Sequence, residues 1–552
     1  MEKVWLKSYP PGVSAEIDLK QYKSLGDLFE QSCEKFRDRP AYYNLGKTIS
    51  FGELERMSRA FGAWLQSKGL PKGARIAIMM PNCLQFPICA FGALRAGYIV
   101  TNVNPLYTPR ELELQLKDSG AEAIVVLENF AHVLQEVRAR TQVKHVVLTS
   151  LGELLGLKGM VVNFVVRKVK KMVPAWNIPD AVGFKEMLAQ GESLALKRVE
   201  VGLEDVAFLQ YTGGTTGISK GATLLHRNIL ANLEQSCAWL RPFLDESQPQ
   251  VIITALPLYH IFSLTANALL MMKLGGLNIL ITNPRDIPAF IKELITNRFT
   301  MFTGVNTLFN ALLQYPDLAK VDFSCVKVTL GGGMAVQKAV ADQWKKATGS
   351  TLVEAYGLSE TSPAVTINPL DLKEYNGAIG LPISSTEVSI RGDDGKELPV
   401  GGAGEICIRG PQVMAGYWNR PDETAKVMTV DGFFASGDMG VMDEKGYVRL
   451  VDRKKDVLMV SGFNVYPNEI EGVVAMLPGV LECAVIGVKD EHSGEVPKLF
   501  VVKKDLALTE EIIRKHCHDN LTGYKRPKYI EFRTELPKTN VGKILRRALR
   551  DA

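Results

Sequence analysis

The residues best suited to chemistry form one short segment, residues 211–222, which reads YTGGTTGISKGA. Glycines let backbone N–H groups turn toward an anion, and concave groups of such donors bind phosphate. The threonine and serine hydroxyls add further donors, and the ammonium of Lys220 adds charge for terminal phosphates. The spacing differs from that of a Walker A loop. Against the alternative of a flexible surface loop, the segment predicts a phosphate-binding loop made by Thr212, Gly213, Gly214, Thr215, Thr216, Gly217 and Lys220.

Length and composition limit the class of protein. The 552 residues predict three or four structural units at about 100–200 residues per domain. With 46% hydrophobic and 23% charged residues, the chain is typical of globular proteins. A net charge of +5 is too small to indicate nucleic acid, and it suits anionic small molecules or an anionic membrane surface. Eight cysteines without a CxxC pair, and a start without an apolar signal region, indicate a cytoplasmic protein with reduced thiols.

Along most of the chain, short apolar segments typical of strands alternate with segments that have the apolar spacing of a helix. This pattern predicts an α/β fold. The predicted strands are residues 74–79, 98–102, 123–127, 143–149, 206–211, 251–256, 277–281, 326–330 and 351–355. This alternation is typical of parallel sheets with crossover helices, here in two doubly wound subdomains. Such sheets bind ligands at the carboxyl ends of their strands. The glycine-rich segments 213–217 and 331–333 each follow a predicted strand, so we expect both at the ligand-binding edge.

The texture of the sequence changes from about Ile383, where short strands separated by turn residues predict a small β-rich unit. A last α+β unit begins near residues 452–456. Its predicted strands are residues 484–488 and 498–503, and its predicted helices are residues 468–477 and 509–520. We therefore predict a large N-terminal domain, residues 1–452, that holds the two doubly wound αβ subdomains and the β-rich subdomain. A compact α+β C-terminal domain, residues 453–552, follows it.

One uncharged stretch, residues 251–272, is long enough to resemble a membrane span, since about 20 apolar residues can cross a bilayer. Polar and helix-breaking residues, including Pro257, His260 and Asn267, interrupt it. We predict a buried strand, a loop and a buried helix instead.

Eight motifs in chain order resemble those of the acyl-adenylate-forming superfamily, which includes acyl-CoA synthetases, luciferases and the adenylation domains of peptide synthetases. After the loop at 211–222 they read PLYHIF (257–262), GGGMA (331–335), YGLSET (356–361), SGDMG (436–440), DRKKD (452–456), SGFNVYPNEIE (461–471) and PKTNVGKILRR (537–547). Residues 431–455 resemble the fatty acyl-CoA synthetase branch, and NPLYTPREL, ITNPRDIP and TGVNTLFNALL resemble segments of bacterial long-chain fatty acid–CoA ligases. One departure is Ala435-Ser436, where the branch has His-Thr; the serine keeps the hydroxyl.

The resemblance implies a two-step reaction that uses ATP, Mg²⁺ and CoA. A fatty acid carboxylate attacks the α-phosphate of ATP and gives acyl-AMP and diphosphate. The thiol of CoA then attacks acyl-AMP and gives acyl-CoA and AMP. Because the first step brings an anion to a polyanion, neutralising charge is the main requirement, and no covalent protein nucleophile is needed.

The resemblance assigns catalytic roles to Lys543, Glu360 and His260. Lys543 would bridge the substrate carboxylate and the α-phosphate; a solvated lysine is the alternative. Glu360 and the hydroxyl of Thr212 would ligate Mg²⁺, which prefers few carboxylates together with phosphate oxygens. The alternative for Glu360 is a charge at a helix N-terminus. His260 either lines the acyl or CoA channel near the reacting carbonyl or is a buried structural histidine.

Other motif residues would bind the nucleotide. Asp438 would accept hydrogen bonds from the ribose, Arg453 could bond the same sugar, and Tyr356 would stack on adenine. The alternatives are a turn aspartate and a core aromatic residue. The nucleotide-binding set that the resemblance implies is Thr212, Gly213, Gly214, Thr215, Thr216, Gly217, Lys220, Gly331, Gly332, Gly333, Tyr356, Gly357, Thr361, Asp438, Arg453 and Lys543.

The family carries a hinge at the DRKKD motif, and Lys455 occupies the hinge position. Rotation there would make the C-terminal domain mobile, so that Lys543 could leave after adenylation and a passage for CoA could form. The alternative is a plain charged linker between domains.

Residues 161–176, VVNFVVRKVKKMVPAW, mix apolar side chains with four basic residues and end on a tryptophan. A basic amphipathic segment of this kind favours peripheral contact with a membrane surface, here the cytoplasmic face of the inner membrane. The alternative is an ordinary surface helix packed on the large domain.

Three other functions fit parts of the sequence. An acyl-AMP ligase would pass the acyl group to another acceptor, and a ligase for a different acid, such as an aromatic one, would keep the chemistry. A nucleotide or fatty-acid sensor would keep only the fold, which the joint presence of Lys220, Glu360, Asp438, Arg453 and Lys543 opposes. Both a monomer and a homodimer are compatible with the sequence.

Overall fold

The computed structural model describes residues 2–212, 219–245, 248–490, 492–539 and 542–550. Within these residues the strands form four sheets, two large and mostly parallel and two smaller. The predicted α/β class is confirmed, with a large N-terminal domain and a separate C-terminal domain.

The first large sheet contains the strand that precedes the glycine-rich loop. In spatial order its strands are Gly416–Tyr417, Lys220–Leu225, Val206–Thr212, Ile99–Asn102, Arg75–Met79, Ala123–Leu127, His145–Thr149 and Val182–Gly183. Neighbouring strands from Val206–Thr212 to Val182–Gly183 are parallel. Strand Lys220–Leu225 is antiparallel to both of its neighbours, Gly416–Tyr417 and Val206–Thr212. The predicted strands agree with these to within two residues, the usual uncertainty of element ends.

The second large sheet holds the other predicted strands. In spatial order they are Leu381–Pro382, Ala364–Ile367, Leu352–Gly357, Val328–Gly331, Met301–Gly304, Val251–Thr254, Leu277–Leu280, Pro40–Asn44 and Lys47–Ser50. The strands from Leu352–Gly357 to Pro40–Asn44 are parallel neighbours. The carboxyl ends of Val328–Gly331 and Leu352–Gly357 therefore meet at one edge.

Helices cover both faces of the large sheets, as doubly wound folds require. The α-helices are Leu25–Lys35, Phe51–Ser67, Gln85–Arg95, Pro109–Ser119, Ala131–Val137, Leu157–Phe164, Phe184–Glu192, His226–Leu240, Ile261–Ser263, Leu270–Leu274, Ile287–Thr296, Asn306–Leu313, Lys338–Thr348, Pro421–Ala425, Pro467–Ala475, Glu510–Asn520 and Arg546–Arg550. Alternate residues of one strand enter different cores: Ile76 and Ile78 pack in the central core, whereas Ala77 and Met79 pack under the outer helices. Successive residues of a strand point to opposite faces of the sheet, and helices cover both faces. Both sets of side chains are therefore apolar.

Two smaller sheets follow in the chain. The antiparallel β-rich unit has the strands Glu387–Arg391, Ala403–Arg409, Phe434–Met442 and Val448–Arg453. The C-terminal sheet has the strands Leu458–Val460, Phe463–Val465, Val480–Asp490, Gly494–Lys503 and Tyr529–Arg533. Lys455 lies between these two sheets, and the boundary after Asp452 stays a prediction.

The uncharged stretch at residues 251–272 has the predicted form. Strand Val251–Thr254 leads through a loop into Ile261–Ser263 and the helical segments Leu264–Leu269 and Leu270–Leu274. In the described ranges, no helix combines the length and the apolar character needed to cross a bilayer.

Candidate functional site

Six of the predicted site residues line a cavity at the carboxyl ends of the second sheet. Gly332 and Gly333 follow strand Val328–Gly331, and Tyr356 and Gly357 end the neighbouring strand. The cavity lining includes His260, Gly332, Gly333, Tyr356, Gly357 and Lys543. The glycine-rich segment at 331–333 therefore lies at the carboxyl end of its strand, as predicted, and ligand binding there stays a prediction.

Lys543 reaches this cavity from the C-terminal domain. A Cβ on Gly333 would lie 3.4 Å from Cε of Lys543 and 3.8 Å from its Nζ. The hydroxyl of Thr307, on a helix of the large domain, donates to the carbonyl oxygen of Gly542 at 2.9 Å. The backbone N–H of Lys543 donates to the hydroxyl of Thr539 at 3.1 Å. The first bond holds the lysine segment against the large domain, and the second fixes the turn that precedes the lysine.

The charge of Lys543 is poorly solvated. The pKa of Lys543 is lowered to about 8, first by burial and then by nearby Arg453, while Asp438 and Glu360 oppose both effects. Four predicted site residues therefore lie within electrostatic reach of one another. An anionic substrate at this point would restore the missing counter-charge.

Asp438 is the centre of a fixed polar cluster. The hydroxyl of Tyr356 donates to its carboxylate at 2.7 Å, and Nε of Arg453 lies 3.6 Å from its other oxygen. The hydroxyl of Ser436 accepts from the backbone N–H of Asp438 at 3.1 Å, a role that the serine substitution leaves intact. Burial raises the pKa of Asp438, and Arg453 opposes that change. Binding of ribose by Asp438 and Arg453, and of adenine by Tyr356, stays a prediction.

Glu360 lies in a short turn, Ser359–Thr361, with 8% of its surface exposed. The hydroxyl of Tyr417 donates to its carboxylate at 2.8 Å. Burial raises the pKa of Glu360, and the bond from Tyr417 opposes that change. The strand that ends at Thr212 packs against this turn, so the two predicted metal ligands belong to neighbouring elements.

Thr361 and Gly331 have structural roles: one accepts a backbone hydrogen bond and the other allows close packing. The hydroxyl of Thr361 accepts from the backbone N–H of Leu358 at 3.0 Å, and the side chain is fully buried. A Cβ on Gly331 would lie 2.7 Å from the side chain of Val336, so close packing requires the glycine. Neither residue is part of the cavity lining, and their contact with nucleotide stays a prediction.

The phosphate loop joins two antiparallel strands. Thr212 ends the first strand and pairs with Lys220, which begins the second. Gly213, Gly214, Thr215, Thr216 and Gly217 lie outside the described residues. The ammonium of Lys220 contacts Glu423 and lies 5.2 Å from the ring of Tyr417. Binding of terminal phosphates by Lys220 would require it to exchange this carboxylate for phosphate.

His260 is buried in a capping position and also lines the cavity, so the two predicted roles stay open. Its Nδ1 accepts from the backbone N–H of Phe262 at 3.4 Å, which caps a short helical segment, and the ring also lines the cavity. Burial, together with the nearby charge of Lys543, lowers the pKa of His260 to about 3. The imidazole is therefore neutral. Because Nδ1 accepts a hydrogen bond, the proton is on Nε2, which can act as a donor.

Sequence reasoning missed Tyr417 and Glu423, which position Glu360 and Lys220. Both lie near the short strand Gly416–Tyr417, which pairs with Lys220–Leu225 about two hundred residues away in the chain. No local periodicity marks a contact of that separation.

Replacing Gly333 with alanine tests whether the close packing of Lys543 against Gly333 matters for activity. Gly333 has φ +77°, where an L side chain costs about 1–2 kcal/mol, and the new methyl group would touch Lys543. We expect G333A to lower the thermal midpoint slightly and the adenylation rate at least about tenfold, since small misplacements are costly. The matched control is G349A, with φ +74° and open space around its Cβ. Equal adenylation rates in the two variants would contradict the fit.

The lowered pKa of Lys543 predicts a pH dependence. In the role that the family resemblance implies for Lys543 the ammonium is the active form, so kcat/KM for adenylation without CoA should be high below pH 8 and fall as the pH rises through about 8. In K543R any residual activity should lose this decline, because arginine stays charged. A wild-type profile that is flat to pH 9.5 would exclude the lysine as the titrating group.

Comparison with known proteins agrees with this geometry. Residues 29–418 match the family described as "AMP-binding enzyme", and residues 469–543 match "AMP-binding enzyme C-terminal domain". A long-chain-fatty-acid–CoA ligase of Yersinia pestis is 57% identical over 100% of this chain and 98% of its own. Among solved structures, ATP-bound MatB from Rhodopseudomonas palustris has a TM-score of 0.79 at 28% identity, covering 95% of this chain and 98% of its own. An anthranilate CoA ligase with bound anthranoyl-AMP has the same fold, with a TM-score of 0.85 at 24% identity over 97% of this chain and 98% of its own.

Proposed function

Because this chain belongs to the AMP-binding enzyme family, we propose that it is a long-chain fatty acid–CoA ligase. It would convert ATP, a fatty acid and CoA into acyl-CoA, AMP and diphosphate through an acyl-AMP intermediate. The observation that carries the proposal is the cavity, which has the ammonium of Lys543 at one end and an apolar interior behind it.

The interior of the cavity suits a hydrocarbon chain. Its apolar lining comes from the second sheet and from the helices packed on it, and includes Leu240, Ile252, Ala266, Leu270, Met301, Val328, Leu330, Ile367 and Leu370. Burial of each methylene in such surroundings contributes about 0.8 kcal/mol. A flat aromatic acid would leave much of this surface unused.

The charges at the reactive end suit adenylation. Lys543 would hold the substrate carboxylate against the α-phosphate and offset the charge that builds up between them. Asp438 and Arg453 would orient the nucleotide, and neutral His260 offers an Nε2–H donor near the carbonyl. The thiol of CoA would then displace AMP from the acyl group.

The residues present fit a bound Mg²⁺. The described residues contain no group of three or more His, Cys, Asp or Glu that could hold a metal by themselves. Mg²⁺ at phosphate sites needs only one or two carboxylates, and Glu360 is buried with a neutral hydroxyl as its hydrogen-bond donor. Glu360 and Thr212 would hold the ion, which would supply positive charge to the phosphates.

Rotation at Lys455 would let one site serve both steps. Lys455 lies between the β-rich sheet and the C-terminal sheet, and Lys543 enters the cavity from the C-terminal side. Withdrawal of the lysine after adenylation would open the reactive end to CoA.

Membrane contact would use a helix slightly upstream of the segment that the sequence singles out. Helix Leu157–Phe164 continues as a π-helix to Val169, and the tryptophan lies outside it. On one helical face, with spacings of three and four residues, lie Leu157, Met160, Val161 and Phe164, which are 61% to 85% exposed. Residues 157–176 contain no acidic residue. Such an apolar face beside basic residues suits an anionic lipid surface.

Co-sedimentation with vesicles of anionic or zwitterionic lipid tests this contact. Arg167 pairs with Glu128, which leaves three lysines (Lys168, Lys170 and Lys171) for lipid. At about 1 kcal/mol per basic residue, replacing all four with glutamine should weaken binding to anionic vesicles at least tenfold. Replacing Lys338, Lys345 and Lys346 on another surface helix is the control. If the variant with all four substitutions bound anionic vesicles as strongly as the wild type, the proposal of membrane contact would be wrong.

Product release with oleate, octanoate and benzoate tests the function. We expect CoA-dependent AMP release that is strongest with oleate. Diphosphate release without CoA dependence would favour an acyl-AMP ligase with another acceptor. Preference for benzoate would overturn the substrate class while leaving the adenylation site in place.

A further inference from the structure

The cavity follows one face of the second sheet away from Lys543. Val328, Leu330 and Gly332 all line it, and their spacing of two residues places them on the same face. Gly332 lies at the reactive end. Val328, four residues earlier, is therefore about 13 Å deeper at the usual strand rise.

Helix His226–Leu240 forms the opposite wall of the cavity, and its rise per residue gives a similar estimate of the cavity's depth. Asn232, Ser236 and Leu240 line the cavity at intervals of four residues, on one helical face. The amide of Asn232 bonds both backbone groups of Ala364, next to the reactive turn. Leu240, eight residues further, is about 12 Å deeper.

Buried side chains from three strands and one helix line the deep end of the cavity. Ile252, Met301 and Val328 stand in register across three neighbouring strands, and each is at most 6% exposed. Trp239 and Leu240 complete the wall, and Trp239 is fully buried. A chain that enters past Lys543 therefore ends against these side chains.

Trp239 is the largest side chain of that wall, and both a hydrogen bond and a ring contact hold it in place. Its indole N–H donates to the carbonyl oxygen of Asn368 at 3.2 Å. The ring of Tyr9 meets it edge-on, with centroids 5.0 Å apart and an interplanar angle of 84°. The hydroxyl of Tyr9 in turn donates to the carbonyl oxygen of Pro382 at 2.5 Å. The N-terminal segment thus supports the indole from behind, and Tyr9 is itself only half-buried.

We propose that Trp239, supported by Tyr9, is the end stop of the acyl cavity and sets the longest chain that the protein accepts. The proposal rests on the proposed ligase function and adds what determines its chain-length range. Removing the indole would extend the cavity toward the N-terminal segment. Filling the middle of the cavity would shorten it.

Steady-state kinetics with saturated fatty acids of 8, 12, 16, 18 and 22 carbons test the end stop. In S236L a leucine side chain occupies the middle of the cavity. Each excluded methylene lowers kcat/KM about fourfold, equivalent to about 0.8 kcal/mol, so the ratio of the 18-carbon to the 8-carbon substrate should fall at least tenfold. In W239A the ratio of the 22-carbon to the 18-carbon substrate should rise at least fivefold. Y9A should change that ratio in the same direction by a smaller factor.

The control is A238L, on the same helix but outside the cavity lining, and its profile should match the wild type. Equal losses for all chain lengths in S236L, or a matching change in A238L, would overturn the proposal, and this test stands even where W239A does not fold. An unchanged profile in folded W239A would also overturn it. Failure of the ligase function itself would look different, because the wild type would then use none of the fatty acids.

Discussion

Replacing Lys543 with methionine (K543M) is expected to lower the rate of acyl-adenylate formation by about a thousandfold, the upper range for removal of one group that stabilises charge. Methionine keeps the length and volume of the side chain and removes the ammonium. The pKa of about 8 shows that burial already disfavours this charge in the free protein. We therefore expect the thermal midpoint of K543M to equal or exceed that of the wild type, so that lost activity cannot be attributed to unfolding.

Diphosphate release without CoA measures the adenylation step alone. The matched control is K538M, in the same segment, where the lysine pairs with Glu482 at 2.7 Å and is one third exposed. K538M should keep wild-type activity. Adenylation by K543M at more than a tenth of the wild-type rate would refute the central role of Lys543.

Replacing Glu360 with glutamine (E360Q) is expected to lower adenylation about a hundredfold and to raise the magnesium concentration needed for half-maximal rate. The amide can still accept the hydrogen bond from Tyr417, so the local structure is retained while the negative charge is lost. A neutral oxygen is a weaker ligand for a hard divalent ion. The rate of diphosphate release across a magnesium titration measures both changes.

Two further variants separate charge from positioning. Y417F keeps the carboxylate but removes its hydrogen-bond donor, so the loss should be smaller than in E360Q, about 1 kcal/mol or fivefold. E374Q changes an exposed glutamate and should have no effect. Wild-type magnesium dependence in E360Q would show that another group holds the ion.

The sequence predicted the elements and the reactive edge because both depend on local pattern. Apolar runs of four to six residues became the strands Arg75–Met79, Ala123–Leu127 and Val251–Thr254. Glycines directly after a strand marked the edge at Gly332 and Gly333. The motifs singled out Lys543 and Asp438, and the structure places them within electrostatic reach of each other.

Contacts between distant segments depended on the tertiary structure. The bond from Tyr417 to Glu360 and the pairing of Lys220 with Glu423 join segments that lie far apart in the chain. Their meeting follows from strand register in the first sheet, which no local spacing encodes.

What the sequence by itself determined was which residues share a face; only the tertiary structure decided what each face meets. The spacing from Leu157 to Phe164 is that of a helix packed in a core, yet the folded chain leaves this face in solvent. Trp239 has the same apolar character, yet it closes a cavity against Tyr9, more than two hundred residues earlier. The physical reason is that a helical or strand period sets directions around one element, whereas burial depends on the surface that other elements place against it.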